Sequence, residues 1–545
     1  MELFGETLQF ATAFFLLLAL ALALSFEFVN GFHDTANAVA TVIYTNTLKP
    51  IYAVIWSGCW NLIGVIVSGG LVAYGIIALL PHDLVSNVGS GDQAGQYVGF
   101  AMIFSLLVSA IIWNLGTWYL GLPASSSHTM IGSILGVGVA NALMNGHAWY
   151  SGLNWDQIDK VMLALLISPL VGFVASAVLL VILKVAIPRE DLFSSPEKGK
   201  APPPWIRGLL ILTCTGVSFG NGNNDGQKGM GLIMIILIGV LPGAFALQNP
   251  ADPAEIAKTV GLAKQAIVIF QNQASAPAAP APATTGGTEV TPAPAASTVS
   301  ATPEPTAPAA GAPAAAAPEA LHPIFSTPEQ KEVSKFVKSG KATPETYTAL
   351  AKVADTVQTE LQGVSDFSSI TAIQRKDLRK NVYLLDDGIA KLNKLKLISD
   401  TTQAKTLVSL QKSLEVYTKH IPLAVQLAVA CALGLGTMVG WKRIVVTVGE
   451  KIGKAHLTYG QGASAELVAA ITVLGASWYG WPVSTTHVLS SGIAGTMAAN
   501  RSGLQKQTLI NILLAWVLTL SVTVFLGATL FSASLYVVFH VLGIH

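Results

Sequence analysis

Charge is what this sequence has least of. Asp, Glu, Lys and Arg together make up 11% of its 545 residues, where a soluble domain carries about a quarter. With 52% of the residues hydrophobic, a soluble globule is excluded and lipid becomes the expected solvent. Cysteine is nearly absent. Cys59, Cys214 and Cys431 fall inside apolar runs with no metal-ligand spacing, which excludes a disulfide framework and predicts three small buried hydrophobes. A net charge of +1 gives no ground for a nucleic-acid partner, since basic residues in a membrane protein matter by placement.

Long apolar runs are abundant. Spanning a bilayer takes roughly 20 apolar residues, and the pattern predicts ten crossings, near 8–30, 51–80, 97–120, 127–145, 161–187, 205–247, 421–440, 464–481, 484–499 and 508–541. The first run, Phe10–Leu24, follows Glu2 and Glu6 without a basic residue or a cleavage-site pattern, so it reads as a membrane segment. Placing the N-terminus outside puts Lys49, Arg189, Lys198, Lys200, Arg207, Lys442, Arg443, Lys451, Lys454, Arg501 and Lys506 in cytoplasmic loops. The opposite loops, Pro81–Gln96 and Asn145–Lys160, offer only Lys160. That asymmetry predicts both termini outside the cytoplasm.

Residues 248–420 interrupt this pattern as an extracytoplasmic insertion. Its Ala/Pro-rich stretch at 274–320 cannot bury enough apolar surface to fold, whereas 327–419 mixes Leu, Val and Ile with charged residues at helical spacing, predicting a small helical region. The expected division is a first repeat over 1–190, a cytoplasmic loop over 191–207, the start of the second repeat over 208–247, and its remainder over 421–545.

Two pairs of polar clusters repeat. Asn30-Gly31-Phe32-His33-Asp34 matches Asn221-Gly222-Asn223-Asn224-Asp225, and Pro123-Ala124-Ser125-Ser126-Ser127-His128 matches Pro482-Val483-Ser484-Thr485-Thr486-His487. Asp34 precedes His128 by 94 positions and Asp225 precedes His487 by 262, a difference close to the length of the insertion. Five crossings per half is an odd number, so the halves are expected to be inverted repeats whose clusters meet near the midplane on broken or re-entrant helices. The fold class is therefore an all-α polytopic membrane protein.

An Asp at the bilayer centre costs roughly 2.5–3.5 kcal/mol, so Asp34 and Asp225 call for a cation, a proton or a polar cavity. The plainer reading is that each caps a broken helix or pairs locally with Asn37 or Lys228. Gly31, Gly220, Gly222 and Gly226 disfavour regular helix and permit close approach. Ser125, Ser126, Ser127, Ser484, Thr485 and Thr486 follow a proline and precede apolar helices, as N-terminal hydroxyls do. Two such ends facing each other make a site for a tetrahedral oxyanion; ordinary capping is the alternative. His128 and His487 can orient those turns. His33, beside Asp34 where the second half has Asn224, hints at proton coupling. Glu27, Lys228 and Glu466 are supporting polar residues.

With these clusters assembled, the sequence resembles the PiT family of inorganic phosphate transporters, whose G-A-N-D-V-A-N-A-type motif stands here as Gly31–Ala38 and Gly222–Gly229. The resemblance covers roughly 1–248 and 420–545. It implies phosphate symport in a bacterial inner membrane, driven by protons or sodium, with magnesium or another divalent cation bound to the phosphate in many bacterial members. No resident cofactor is implied, and a homodimer in lipid is. Carried over by position, Asp34, Asn37, Asp225, Asn224 and His33 become ion-coupling residues and the hydroxyl triplets become phosphate ligands. Lys228 stands where the first half has Asn37, which breaks a symmetric pair of cation sites. A sulfate or other oxyanion carrier, an anion channel and a membrane hydrolase using Ser127 or Thr486 are the competing readings.

Overall fold

The computed structural model describes residues 2–3, 6–79, 93–150, 153–197, 199–248, 252–275 and 327–543. Most of the predicted loop Pro81–Gln96, Lys198 and nearly all of the Ala/Pro-rich stretch at 274–320 lie outside these. Nineteen α-helices follow in order among the described residues. The first half holds α1 (Phe10–Tyr44), α2 (Pro50–Val67), α3 (Leu71–Ile77), α4 (Gln93–Tyr119), α5 (Ser126–Met144), α6 (Trp155–Ala186) and α7 (Glu190–Phe193). Then come α8 (Pro204–Val240), α9 (Pro242–Phe245), α10 (Pro253–Ser275), α11 (Pro328–Ser339), α12 (Pro344–Leu361), α13 (Ala372–Lys394) and α14 (Thr401–Thr418). The chain closes with α15 (Leu423–Thr437), α16 (Lys442–Glu450), α17 (Tyr459–Trp478), α18 (Thr485–Ala499) and α19 (Lys506–Tyr536).

All ten predicted crossings are helical. Among the described residues, α1, α2, α4, α5, α6 and α19 are each long and apolar enough to cross a membrane, and α14 with α15 forms a further candidate bent by 70°. The predicted run at 51–80 is broken between α2 and α3, where Gly70 takes φ +77°. Two of the three cysteines differ from expectation: Cys214 is buried, but Cys59 and Cys431, on α2 and α15, are exposed.

The packing of the two halves corresponds element by element. Helix α1 packs on α15 and α4, as α8 packs on α2 and α17; α5 packs on α19, as α18 packs on α6. The closest crossings are made by glycine. A Cβ on Gly31 would lie 2.3 Å from Leu433 O, and one on Gly436 2.1 Å from Phe28 O; in the other half Gly222 meets Asn61 O at 2.0 Å and Gly64 meets Phe219 O at 2.2 Å. Lipid supplies no hydrophobic drive between helices, so such backbone contact is what association rests on.

The same contacts correct one expectation. Around Asn30–Asn37 and Asn221–Lys228 the chain is not broken: α1 and α8 run through both clusters as unbroken helices of 35 and 37 residues. Gly31 and Gly222 serve close approach, not unwinding. A continuous helix keeps every backbone group satisfied away from water and puts residues i, i+4 and i+7 on one face, which lines up Asn30, Asp34 and Asn37, and likewise Asn221, Asp225 and Lys228.

Within the insertion, helices α10 to α14 enclose their own core, including Phe270, Phe336, Leu350, Leu385 and Leu410. Capping boxes open three of them, at Thr327/Gln330, Thr343/Thr346 and Thr371/Gln374, each satisfying backbone donors that the first turn leaves free. Helix α10 precedes the stretch read as helical from sequence and packs on α12 and α14. The insertion docks on the membrane helices through polar contacts. The Arg379 guanidinium donates to Ala246 O, and Lys391 and Lys394 reach Asp156 at 2.7 and 2.9 Å.

Candidate functional site: two hairpin tips on two buried aspartates

Two helical hairpins deliver the hydroxyl clusters. Helix α4 ends with Gly121 at φ +67°, where Leu122 N donates to Thr117 O and Gly121 N to Trp118 O, both at 2.9 Å. Helix α17 ends alike, with Gly480 at φ +71°, Trp481 N on Ala476 O at 2.9 Å and Gly480 N on Ser477 O at 3.0 Å. Both are Schellman caps, which need a residue at ease with positive φ. A proline then prevents the helix from continuing, and Ser125 or Ser484 restarts it as N-cap, accepting from His128 N or His487 N at 3.2 Å.

Capping uses the first hydroxyl of each triplet: Ser125 and Ser484 close the first turns of α5 and α18. Ser125 Oγ also meets His128 Nδ1 at 2.9 Å. The other hydroxyls point inward. Ser126 Oγ donates to Asp34 Oδ2 at 3.2 Å and Thr486 Oγ1 to Asp34 Oδ1 at 2.8 Å, so one carboxylate on α1 joins both hairpin tips. Asn37 Nδ2 adds bonds to Asp34 Oδ1 at 3.1 Å and Thr486 Oγ1 at 2.9 Å. In the matching place on α8, Asp225 Oδ2 accepts from Thr485 Oγ1 at 3.3 Å, and its Oδ1 pairs with the Lys228 ammonium. Lys228 also donates to Ser127 Oγ and, at 3.0 Å, to Val483 O. Ser127 Oγ itself reaches Val483 O at 2.9 Å. Asp34, Asp225, Ser126, Ser127, Thr485 and Thr486 are all buried.

His33 does not join Asp34. Successive helical residues face different directions, and His33 Nε2 meets Thr117 Oγ1 on α4 at 3.1 Å. Asn224 is its counterpart on α8: its amide donates to Ser477 Oγ at 2.9 Å and Trp481 O at 3.1 Å, and it accepts from Val483 N at 3.3 Å. Both side chains hold a hairpin to its long helix, and these bonds reach neither Asp34 nor Asp225. His128 and His487 lie side by side, ring centroids 4.6 Å apart, with Trp516 stacked on His487 at 4.0 Å.

Of the supporting residues, Lys228 belongs to the centre. Glu27 is buried against Gly229, where an added Cβ would lie 2.3 Å from its Cγ, and accepts from Asn30 at 3.5 Å. Glu466 lies elsewhere. It accepts from Thr213 Oγ1 at 2.5 Å, and Thr213 is twelve residues before Asp225, roughly 18 Å along α8. Sequence reading missed two supporting contacts: Gln227, which accepts from Val72 N at 2.8 Å and so caps α3, and the pair Asn61 and Thr437, bonded at 2.8 Å where α2 meets α15. The recurring Gly-x-Pro-x-Ser spacing at Gly121 and Gly480 was the available signal for the hairpin turns.

Residues 30–527 match the model of a family described as "Phosphate transporter family". The low-affinity inorganic phosphate transporter PitB of Escherichia coli K12 is 39% identical over 97% of this chain and 99% of its own length. PitA of the same strain is 40% identical over 97% and 98%. A low-affinity inorganic phosphate transporter of Buchnera aphidicola from Acyrthosiphon pisum is 35% identical, covering 96% of each chain. A solved structure of a sodium-dependent phosphate transporter aligns at TM-score 0.47 and 17% identity, over 95% of this chain and 98% of that one.

Proposed function

Because this chain belongs to the phosphate transporter family, we propose that it imports inorganic phosphate across a bacterial inner membrane as a proton-coupled symporter. Phosphate enters as a metal phosphate complex, which carries less charge to desolvate. One observation carries the mechanism: Asp34 accepts hydroxyl bonds from Ser126 of one hairpin and Thr486 of the other.

Each hydroxyl has a single hydrogen to donate. While Asp34 is ionised it holds both of these, because bonds to a charged acceptor are roughly twice as strong as neutral ones. A proton on Asp34 weakens that hold and frees the hydroxyls for phosphate oxygens. Backbone N–H groups at the starts of α5 and α18 supply further donors of the right sign. Coupling then follows from competition for the same hydrogens, and the loaded site sheds the buried charge that opposes movement across the bilayer.

Inverted topology fits this scheme. Five crossings per half turn the second half upside down, and the corresponding packing of α1 with α15 and α8 with α2 offers two equivalent arrangements, one open to each side. Basic residues crowd the connections at 189–207 and 442–454, which supports a cytoplasmic place for these segments and both termini outside.

The test is uptake of radiolabelled phosphate into proteoliposomes under an imposed pH or sodium gradient, with and without magnesium and with sulfate as competitor. Accumulation driven by the pH gradient and indifferent to sulfate is expected. No phosphate accumulation under any gradient would overturn the proposal.

A further inference from the structure

The two aspartates sit in corresponding shells of hydroxyls, and the shells differ in charge at one position. Three positions after each, on the same helical face, stands Asn37 beside Asp34 and Lys228 beside Asp225. Asp34 takes Ser126 from its own hairpin and Asp225 takes Thr485. Across the halves, Asn37 bonds Thr486 at 2.9 Å, and Lys228 bonds Ser127, the corresponding hydroxyl. The amide and the ammonium thus occupy equivalent places.

Their chemistry differs. The Lys228 side chain is 2% exposed and paired with Asp225; its three N–H donors are matched by Asp225 Oδ1, Ser127 Oγ and Val483 O. An ammonium so enclosed is locked in place, and it neutralises Asp225 without any added ion. On the first side, no Lys, Arg or His among the described residues pairs with Asp34. Asn37 turns its donor to Asp34 and leaves Oδ1 buried with no hydrogen-bond partner. A carboxylate beside a free amide oxygen is a donor set for a small hard cation or a hydronium-type proton.

We propose that Lys228 is a tethered cation permanently filling the Asp225 site, so that Asp34 alone takes an exchangeable coupling cation in each cycle. This rests on Asp34 as the coupling carboxylate. Charge counting agrees: Glu27 lies two turns before Asp34 on α1, bonded to Asn30, Asp225 and Lys228 cancel, and Asp34 is left as the uncompensated carboxylate that the two hairpin tips share. One monovalent cation neutralises it. A chain with Asn at both positions would need two.

The experiment moves the lysine. Lys228→Asn gives the second site the residues of the first and is expected to gain one bound cation per chain. Asn37→Lys gives the first site its own ammonium and is expected to lose one. The count is read without phosphate on purified, monodisperse protein, as sodium-22 bound at equilibrium and protons bound by potentiometric titration, with Asp225→Asn/Lys228→Asn as the control expected to lack the gained site. In proteoliposomes the charge moved per phosphate is expected to rise by one in Lys228→Asn. Unchanged cation counts in both single variants would overturn the proposal. So would a Lys228→Asn protein whose count is unchanged but whose KM for phosphate rises, because Lys228 would then be a phosphate ligand. Failure of the wild type to carry phosphate would instead refute the transport reading, while the counts would still decide the role of Lys228.

Discussion

Thr486, near the end of the chain, donates its hydroxyl to Asp34, near the beginning, at 2.8 Å. No contact on α1 alone could couple the two hairpins; this one does, because the same carboxylate also accepts from Ser126. A hydrogen bond to a charged group contributes about 1.5–3 kcal/mol. Thr486→Val should therefore lower phosphate uptake by roughly ten- to a hundredfold, while Thr486→Ser, which keeps the hydroxyl, retains most of it. Asp34→Asn and Asp225→Asn should each abolish accumulation against a gradient with membrane insertion intact. Initial uptake rates, normalised to folded protein by size-exclusion chromatography, decide both points.

Helix crossings at glycine make a second prediction. Gly222 abuts Asn61 O, which an added Cβ would approach to 2.0 Å. Gly222→Ala must push α8 away from α2, and overpacking of this kind costs about 1–3 kcal/mol. Gly208 lies on the same helix with nothing within 4 Å of an added Cβ; Gly208→Ala should be neutral or stabilising by up to about 1 kcal/mol. Thermal unfolding in detergent compares the two.

The insertion can be removed at its neck. Gln248 N donates to Tyr417 O at 2.8 Å, so the chain segments entering and leaving it are adjacent. Replacing 252–416 by a short Gly/Ser link should leave phosphate uptake within about twofold, since a flexible link of a few residues easily spans so small a gap. Deleting only 276–419 is expected to fare worse, because it strands α10 without the α12 and α14 partners that cover its buried face.

Acidity should steady the insertion. Burial pushes the Asp386 carboxyl up to about 7, helped by Asp387 and Glu415 and opposed by Lys419. The folded state then holds its proton more tightly than the unfolded chain does. Stability from this group is fully present below pH 4, declines as pH rises, and is lost above about 7. Hydrogen exchange of the α13 amides should be slower at pH 5 than at pH 8 after correction for intrinsic rates. Asp386→Asn should flatten that difference.

Much of this was legible in the residues themselves. The paired clusters announce duplication, the apolar runs coincide with helices, six of which among the described residues are long and apolar enough to cross a membrane and a bent pair a seventh, and the Pro-x-Ser pattern marks where helices restart. Those are local properties: a proline stops a helix and a hydroxyl caps one whatever surrounds them. Capping, read from sequence as the alternative role of these hydroxyls, occupies Ser125 and Ser484, while Ser126, Thr485 and Thr486 bond the aspartates and Ser127 bonds Lys228.

What sequence alone determined, then, is which residues are polar, repeated and too costly to leave in lipid without a purpose. Only the tertiary structure decided their partners. Glycine and asparagine near Asp34 and Asp225 suggest unwinding, yet the neighbouring helices need those glycines for contact and keep α1 and α8 intact. His33 immediately precedes Asp34 in sequence but faces Thr117 in space, because a turn of about 100° per residue separates adjacent side chains. And Asn37 and Lys228, which look like a mismatch in the alignment of the halves, turn out to hold the same place beside two equivalent carboxylates, a relation set by which hydroxyl each hairpin brings across.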